Sequence, residues 1–552
     1  MTTTSAPSHV DLLLGPAPRS SFAGTGVLLR VALRRDRVRI PVWVVFSAFL
    51  TIAVAQSWDR LYPDVESRLQ LARTLALDPT LSSILGPLFA PLSTGGLTAW
   101  RISAGMLCAL GLVSSFLVVR HTRADESAGR IELLRGGPVG SAAPALAAML
   151  AAAVMLGAFA VLTAVSLAAL GLGVGGSIAF ALTQSAGCLV FAGVAAITAQ
   201  VARSSRGANG LAGLALGLAF VVTSLGNAQD GGSPLQWVTP FGWAQQTRSY
   251  ADERWWLIAL SLGVAVVLGA IALHVAARRD VGDALLAQRH GRTGAPGWIA
   301  GPIALAWRLD RATILVWAIG FALVGAVEGS LLTTSVDLVK KSPGLAEVIL
   351  RLAGGTTNLN DAFLVTMTGL FGLLAAGFGI STGLRLRAEE EDGRAELILS
   401  TARSRVEWIT GHSSTALVGA TALLGVGGLS LGLVFGASSG DPLGQAWRAM
   451  LATLVCAPAT WAVVAVPLFL VGVRPRLAGP LGWLVLVWCV IAGYFGAILG
   501  LPDWLQQTSP FGHIPLWPAT PMTWTPLIVL TLIAWALVVG SHQGIRRRDV
   551  PA

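Results

Sequence analysis

The chain has 552 residues, of which 54% are hydrophobic and only 12% are charged, and its formal net charge is +10. A soluble domain carries about twice this share of charged residues. The composition therefore excludes an ordinary soluble protein, and at this length it indicates a membrane protein with many spans rather than one anchored by a single helix.

The segment before the first apolar stretch is basic and partly apolar. Residues 27–37 alternate apolar and basic side chains at roughly helical spacing, which is typical of an amphipathic helix in the membrane interface. We predict an elbow helix here, carrying Arg34, Asp36 and Arg37, and a simple basic anchor is the alternative. The first 25 residues lack a basic region followed by an apolar run, so we expect no cleaved signal peptide.

Twelve apolar stretches follow in two sets of six. Stretches of about 20 apolar residues can cross a hydrocarbon core about 30 Å thick as helices. Helix is expected because backbone groups in lipid must form their hydrogen bonds within the segment. We therefore predict an all-α polytopic membrane protein with twelve transmembrane helices. The predicted spans are 40–57, 98–120, 143–170, 176–201, 208–227 and 254–277, then 313–333, 363–385, 413–436, 446–472, 480–500 and 523–542.

A charged motif occurs twice between these spans. Arg-Ala-Asp-Glu-Ser-Ala-Gly-Arg-Ile-Glu-Leu at 123–133 returns 264 residues later, at 387–397, with seven of the eleven positions identical. Each copy lies in a polar loop after the second span of its set. Acidic residues at fixed positions of such a loop favour contact with a basic protein surface, because anionic lipid would repel them.

Three further landmarks return in the same order and at nearly the same offset, which indicates an internal duplication. Six helices in each copy make the repeat parallel, so we predict two parallel six-helix repeats. The predicted regions are an amino-terminal segment with its elbow helix at 1–39, a first six-helix half at 40–281, a linker with a second elbow helix at 282–312, and a second half at 313–552. The landmarks are Arg34-x-Asp36-Arg37 with Arg308-x-Asp310-Arg311, Thr239-Pro240-Phe241-Gly242 with Ser509-Pro510-Phe511-Gly512, and Arg278-Arg279-Asp280-Val281 with Arg547-Arg548-Asp549-Val550.

The distribution of basic residues predicts the orientation. The loops on the same side of the membrane as the amino terminus hold most of the Arg and Lys residues. By the positive-inside rule, we expect both termini in the cytoplasm of a multi-pass plasma membrane protein.

The pattern Arg-Ala-Asp/Glu-Glu-x-x-Gly-Arg-x-Glu-Leu after the second helix resembles the permease subunits of ABC-2 type exporters. The whole chain is similar to the double-length actinobacterial branch of exporters of polyketide antibiotics, the tetronasin-transport type. This resemblance implies a subunit of an ATP-driven ABC exporter that moves a hydrophobic or amphipathic small molecule, such as a drug, an antibiotic or a lipid-like compound, out of the cell. It further implies two copies of a separate ATP-binding subunit, which hold the ATP and magnesium.

In that family the loop after helix 2 forms a coupling helix that docks on the ATP-binding subunit. The resemblance therefore implies two coupling segments, residues 123–135 and 387–399. Asp392 stands where the first copy has Ala128, which leaves open whether the two segments are equivalent. The implied coupling residues are Arg123, Asp125, Glu126, Gly129, Arg130 and Glu132 in the first segment and Arg387, Glu389, Glu390, Gly393, Arg394 and Glu396 in the second. The implied elbow residues are Arg34, Asp36, Arg37, Arg308, Asp310 and Arg311.

The residues themselves predict that ATP is hydrolysed elsewhere. A Walker A loop needs Gly-Lys-Ser/Thr, and the only two lysines of the chain, Lys340 and Lys341, do not follow a glycine. We therefore predict a permease without an enzymatic site or cofactor of its own. The four cysteines stand in apolar stretches without paired spacing, so neither a metal site nor a disulfide is predicted.

The resemblance also implies that spans 2, 5, 8 and 11 line the substrate route along the pseudo-two-fold axis. An apolar, aromatic lining suits a hydrophobic cargo, and ordinary packing or lipid contact is the alternative for each residue. The candidate lining residues are Ser114, Phe116, Phe220, Thr223, Met367, Phe371, Phe378, Trp488, Tyr494 and Phe495. The Pro-Phe-Gly turns, with Pro240, Phe241, Pro510 and Phe511, predict an outer gate or, equally, interfacial re-entrant turns. In the outer segments we expect short helices at 65–77 and 344–352.

Two alternatives to the exporter remain, and the charged loops have an alternative interpretation of their own. A twelve-helix secondary transporter of the major facilitator type shares the six-plus-six repeat, but its loop motif Gly-x-x-x-Asp-Arg-x-Gly-Arg fits neither charged loop. A membrane-embedded enzyme would need a cluster of His, Asp or Glu, whereas the seven histidines are scattered. The charged loops could also be solvated segments with local i, i+4 ion pairs, Glu126 to Arg130 and Glu390 to Arg394. No nucleic-acid partner is expected.

Overall fold

A computed structural model describes most of the chain. The described residues are 20–61, 64–69, 85–135, 139–227, 229, 233–279, 297, 301–340, 359–401, 403–494 and 502–548. The chain divides into two compact units, residues 1–291 and 292–552, which we call the first half and the second half. Both are helical, and no strand occurs in the ranges just given.

The first half begins with a short helix before its first span. Its helices are α1 (Thr25–Arg35), α2 (Arg39–Leu61), α3 (Thr94–Val119), α4 (Arg130–Arg135), α5 (Ala143–Ala169), α6 (Val174–Val201), α7 (Ser205–Asn227), α8 (Pro240–Gln246) and α9 (Trp255–Arg278). Helix α6 is central, because it packs against α3, α5, α7 and α9.

The second half repeats this order with some differences. Its helices are α10 (Pro302–Lys340), α11 (Leu359–Gly383), α12 (Arg385–Glu391), α13 (Arg394–Leu399), α14 (Arg405–Ser439), α15 (Pro442–Leu454), α16 (Ala457–Val473), α17 (Pro475–Cys489), α18 (Asp503–Gln506) and α19 (Trp524–Arg547). Helices α10 and α14 approach closely, since a Cβ atom added at Gly325 would lie 2.4 Å from the carbonyl oxygen of Gly427. Small residues permit such close helix contacts.

The predicted fold class is confirmed. Twelve helices among the described residues are long and apolar enough to cross a membrane, six in each half. The tenth predicted span, 446–472, consists of α15 and α16 rather than one helix. The predicted limits of the four regions stay a prediction. Of the expected outer helices, 65–69 is helical, whereas the rest of 65–77 and all of 344–352 lie outside the described residues.

The two elbow segments differ. Helix α1 is separate from α2, whereas the predicted second elbow helix continues without a break into the span as part of α10. Pro41, the third residue of α2, accounts for the difference. Proline fits best in the first turn of a helix, because further inside it removes a backbone hydrogen bond and clashes with the preceding turn, so Pro41 favours a helix that begins close to it. The equivalent position in the second half is Leu315, which allows the helix to run through.

Candidate functional site

The two coupling segments have the same backbone construction. In the first half, α3 continues through a π-helical turn at Arg120–Ala124 to Ser127, reverses at Gly129 and resumes as α4. In the second half, α12 ends at Glu391, and Gly393 reverses the chain before α13. The φ angles of the two glycines are +71° and +69°, a conformation that glycine adopts without steric cost. The shared glycine therefore makes a tight turn, and each segment is helix–turn–helix rather than a loop.

The second acidic residue of each motif pairs with an arginine at the end of the last span of the same half. Nη2 of Arg279 donates to both carboxylate oxygens of Glu126, at 2.7 and 2.9 Å. Nη2 of Arg548 donates to the carboxylate of Glu390 at 2.8 Å. The exposed fractions of these four side chains are only 5–18%. Two repeated landmarks, the charged motif and Arg-Arg-Asp-Val, thus meet in each half.

Arg123 extends the first of these pairs into a larger buried cluster. Its side chain is 2% exposed, and Nη1 lies 3.1 Å from the carboxylate of Glu126. Its Nε donates to the carbonyl oxygen of Ala199, near the end of α6, at 2.8 Å. The equivalent Arg387 is more exposed and pairs with the exposed Glu391 at 2.6 Å. The two coupling segments are therefore unequal at this position.

The first acidic residue of each motif also pairs within its own half. Asp125 accepts hydrogen bonds at 2.7 and 2.9 Å from Nη1 of Arg35, the last residue of α1. Its counterpart Glu389 lies between Nε of Arg385, at 3.2 Å, and Nε2 of His412 on α14, at 3.1 Å. These contacts join the coupling segment to the elbow in the first half and to α14 in the second.

The acidic residue of each elbow segment is buried and faces the end of the second span. A carboxylate oxygen of Asp36 lies 2.5 Å from Nε2 of His121, and the other lies 3.1 Å from Arg120. In the second half, Arg385 donates to Asp310. Both aspartates are at most 2% exposed. The predicted basic elbow residues Arg34, Arg37, Arg308 and Arg311 are exposed.

The last part of each coupling segment lies on the surface of its half. Ile131 of α4 is buried in the first half, and Ala395 of α13 is buried in the second half. The charged residues on either side of each are exposed, and the side chains of Arg130 and Arg394 are more than half exposed. Among the residues predicted for coupling, the exposed charged ones are Arg130, Glu132, Arg394 and Glu396, and Glu391 and Asp392 of the second copy are exposed as well. The predicted coupling residues thus separate into a buried set and an outward set.

The alternative prediction of local i, i+4 ion pairs, from Glu126 to Arg130 and from Glu390 to Arg394, is wrong. The carboxylate that Arg130 contacts is Asp125, at 2.7 Å, and the carboxylate that Arg394 contacts is Asp392, at 2.7 Å. The physical reason is the turn at Gly129 and at Gly393. An i, i+4 contact requires continuous helix, and the turn separates Glu126 from Arg130 and its counterpart in the second half.

Several residues of this site were not predicted as site residues. Arg279 and Arg548 were recognised only as parts of a repeated landmark, and that repetition was the available signal. The other partners of the motif and of the elbow aspartates carry no repeated signal, because the two halves use different residue types at equivalent positions. They are Arg35, Arg120, His121, Arg385 and His412.

The Pro-Phe-Gly turns begin helices in both halves. Pro240 is the first residue of α8, and Phe241, 1% exposed, packs against Phe191 and Phe220 at ring-centroid distances of 5.7 and 5.5 Å. Pro510 begins a single 3-10 turn, and Phe511 is half-buried. Phe241 is therefore a core residue of the first half, whereas the role of both turns as an outer gate stays a prediction.

The predicted substrate-lining residues have mixed surroundings. Phe371 and Phe378 are fully buried among side chains of the second half. The hydroxyls of Ser114 and Thr223 donate to backbone carbonyls of their own helices. Phe116 is exposed, Phe220, Met367 and Trp488 are half-buried, and the side chains of Tyr494 and Phe495 lie outside the described residues. The lining role stays a prediction.

Comparison with known proteins gives two matches. Residues 299–546 match a family model described as the C-terminal domain of the multidrug efflux system permease Rv1217c. The chain is also 37% identical over 540 residues to the multidrug efflux system permease protein Rv1217c of Mycobacterium tuberculosis (strain ATCC 25618 / H37Rv). This similarity covers 97% of both chains, so it includes both coupling segments and both elbow segments.

Proposed function

Because the chain belongs to the family of multidrug efflux system permeases, we propose that its outward Arg-x-Glu helices receive a separate ATP-binding subunit that drives export. The chain itself is a multi-pass permease of the plasma membrane. Its membership of this family confirms the resemblance to ABC-2 type exporters and does not favour the major facilitator alternative.

ATP hydrolysis belongs to another chain in this proposal. The sequence has no Gly-Lys-Ser/Thr with which to hold the β- and γ-phosphates. The permease makes and breaks no covalent bonds, and ATP and magnesium bind to the partner. Two coupling segments in one chain support two copies of that partner, one for each half.

One observation carries the proposal: each coupling segment displays a repeated charged pair on a short helix whose base is fixed. Arg130 and Glu132 protrude from α4, and Arg394 and Glu396 protrude from α13. The tight glycine turn and the buried Ile131 or Ala395 hold each helix in place. Charges of both signs on a fixed helix suit recognition of a protein surface with complementary charge, because a preformed backbone loses little entropy on binding.

The proposal also specifies the orientation of the chain in the membrane and the class of compound that it transports. The described polar ends of spans 1, 2, 4 and 6 meet in the first half, and those of spans 7, 8, 9 and 12 meet in the second. We assign these ends, and both termini, to the cytoplasm, where ATP is available. The mainly apolar candidate lining supports a hydrophobic or amphipathic small molecule as cargo.

Co-purification tests the docking surface. The tagged permease is expressed with its candidate ATP-binding subunit, and the double variant Glu132→Arg with Glu396→Arg is compared with the unaltered chain. We expect the variant to insert normally and to lose the ATP-binding subunit, because both outward helices then carry only positive charge.

A charge reversal on another exposed turn provides the control. Asp252 is exposed in the turn before α9, at the opposite end of this helix from Arg279. Asp252→Arg should retain the ATP-binding subunit. Binding by the Glu132/Glu396 double variant at the unaltered level contradicts the proposed surface, and absence of binding by the unaltered permease contradicts the proposed function itself.

A further inference from the structure

The last span of each half has few polar side chains but ends in a buried ion pair. Exposed apolar side chains such as Val266 on α9 and Trp535 on α19, which are 71% and 65% exposed, suit contact with lipid. The arginines that follow these helices, Arg279 and Arg548, turn inward to Glu126 and Glu390 instead. Their neighbours Arg278 and Arg547 are exposed.

We infer that Arg279 and Arg548 are positioning residues that pass the displacement of each coupling segment to the last span of its half. We call the Glu126–Arg279 and Glu390–Arg548 pairs the clasps. This inference rests on the proposed function, because it requires a partner that moves the coupling segment. Each clasp makes the two elements move as one unit, so a shift of the outward helix tilts or translates the span.

The energetics of a buried ion pair favour a positioning role over simple stabilisation. Two charges removed from water lose hydration, and well-packed apolar residues of the same volume are often equally stable. An ion pair does, however, specify one geometry, since a shifted register leaves an unpaired buried charge. The same pair occurs in both halves and links segments 153 and 158 residues apart in sequence. A contact that costs hydration, specifies one geometry and occurs in both halves is suited to transmitting movement.

The residues around the two clasps differ, so the Glu–Arg pair can be distinguished as the contact that both halves share. In the first half, Arg123 joins the clasp and also holds the end of α6. In the second half, Arg405 at the start of α14 donates to the backbone carbonyl of Arg548 at 2.7 Å. The accessory contacts reach different spans, whereas the Glu–Arg pair reaches the last span in both cases. The two halves therefore share a direct connection from the coupling segment to the last span, through which displacement can pass.

The second clasp offers the cleaner test, because Arg387, the counterpart of Arg123, pairs with Glu391 and not with the clasp. The full permease and its ATP-binding subunit are placed in proteoliposomes with the variants Arg548→Glu, Glu390→Arg and the double exchange of both. Three quantities are measured for each inserted molecule: bound ATP-binding subunit, ATP hydrolysis, and transport of the amphipathic cation ethidium per ATP.

We expect Arg548→Glu to bind the subunit and to hydrolyse ATP normally, because the outward helix is unchanged. Ethidium transported per ATP should fall roughly tenfold, within the usual range of coupling effects between sites. The double exchange should restore it, since the pair is formed again with the charges reversed. Arg547→Glu, the exposed neighbour, is the matched control and should behave as the unaltered chain. If Arg548→Glu does not insert, Arg548→Gln replaces it with the same expectation.

Two results would overturn the inference. Normal transport per ATP in Arg548→Glu or Arg548→Gln shows that the clasp is only structural, even if less protein is inserted. A double exchange that inserts but transports as poorly as the single variant shows that the pair itself is not what matters. Failure of the unaltered permease to bind the ATP-binding subunit is a different outcome, because it rejects the proposed function.

Discussion

Nε2 of His121 lies 2.5 Å from the buried carboxylate of Asp36, and the same position in the second half is occupied by an arginine. There, Arg385 donates to Asp310. The duplication thus preserves the contact between the elbow segment and the end of the second span while changing the cation. A guanidinium is always charged, whereas an imidazole is charged only when it is protonated.

The first prediction concerns this exchange of cations. His121→Arg should retain export and stability, because it gives the first half the partner that the second half already uses. His121→Leu leaves a carboxylate oxygen of Asp36 buried without this partner, and we expect a loss of about 1–3 kcal/mol. Thermal unfolding of the purified permease measures both variants. A His121→Arg protein less stable than His121→Leu would show that the two contacts are not equivalent.

The second prediction concerns the unequal arginines of the motif. Arg123→Ala removes a buried cation from Glu126 and from the carbonyl of Ala199. Breaking a buried ion pair in this way costs about 3–5 kcal/mol. Arg387→Ala removes a pair with an exposed glutamate, which contributes about 0–1 kcal/mol. Thermal unfolding of the two variants side by side checks the difference, and equal losses would contradict the inequality of the segments.

The third prediction concerns the two glycine turns. Alanine at Gly129 or Gly393 has open space around its Cβ atom, so backbone strain alone should decide the effect. The left-handed conformation costs an L-residue about 1–2 kcal/mol. We expect each alanine variant to lose this stability and to bind less ATP-binding subunit, because the outward helix is displaced. Asparagine should be tolerated better, since it visits this conformation more readily.

A helical glycine with similar open space provides the control for that prediction. Gly157 lies inside α5, and nothing lies within 4 Å of an added Cβ atom. Gly157→Ala should leave stability unchanged or raise it by about 1 kcal/mol, as expected from helix propensity. Normal stability and normal partner binding in both Gly129→Ala and Gly393→Ala would show that the turn does not need glycine.

The spans and the duplication could be predicted because their signals are local. An apolar run of span length has few alternatives to a helix in lipid, and repeated landmarks at nearly constant offset indicate a repeated unit. The break between α1 and α2 also had a local signal, Pro41, which distinguishes the first elbow from the second. The sequence comparison of the halves did not use this proline, and the second elbow helix was expected to be separate.

The inward and outward orientation of the motif's charges could not be predicted from local patterns. Besides the nearby Arg123, Glu126 pairs with Arg279, which is 153 residues away and which nothing near Glu126 in sequence specifies. A local argument offered Arg130 instead, but Gly129 interrupts the helix that this contact would need. Buried charges are positioned by the packing of whole helices, which hydropathy and spacing do not determine. In our proposal, docking therefore rests on the exposed Glu132 and Glu396, which the resemblance also implied, and not on the buried Glu126 and Glu390.

The fourth prediction concerns the Pro-Phe-Gly turns. Removal of the phenylalanine should lower stability if it serves packing, and should increase leak if it serves as a gate. Phe241 is fully buried against Phe191 and Phe220, so Phe241→Ala should cost about 3–5 kcal/mol. Phe511 is half-buried, and Phe511→Ala should cost less. Because Phe241 packs within its own half, we expect its removal to lower thermal stability without increasing the passive leak of ethidium in the absence of ATP. A larger leak with unchanged stability would instead identify this phenylalanine as part of an outer gate.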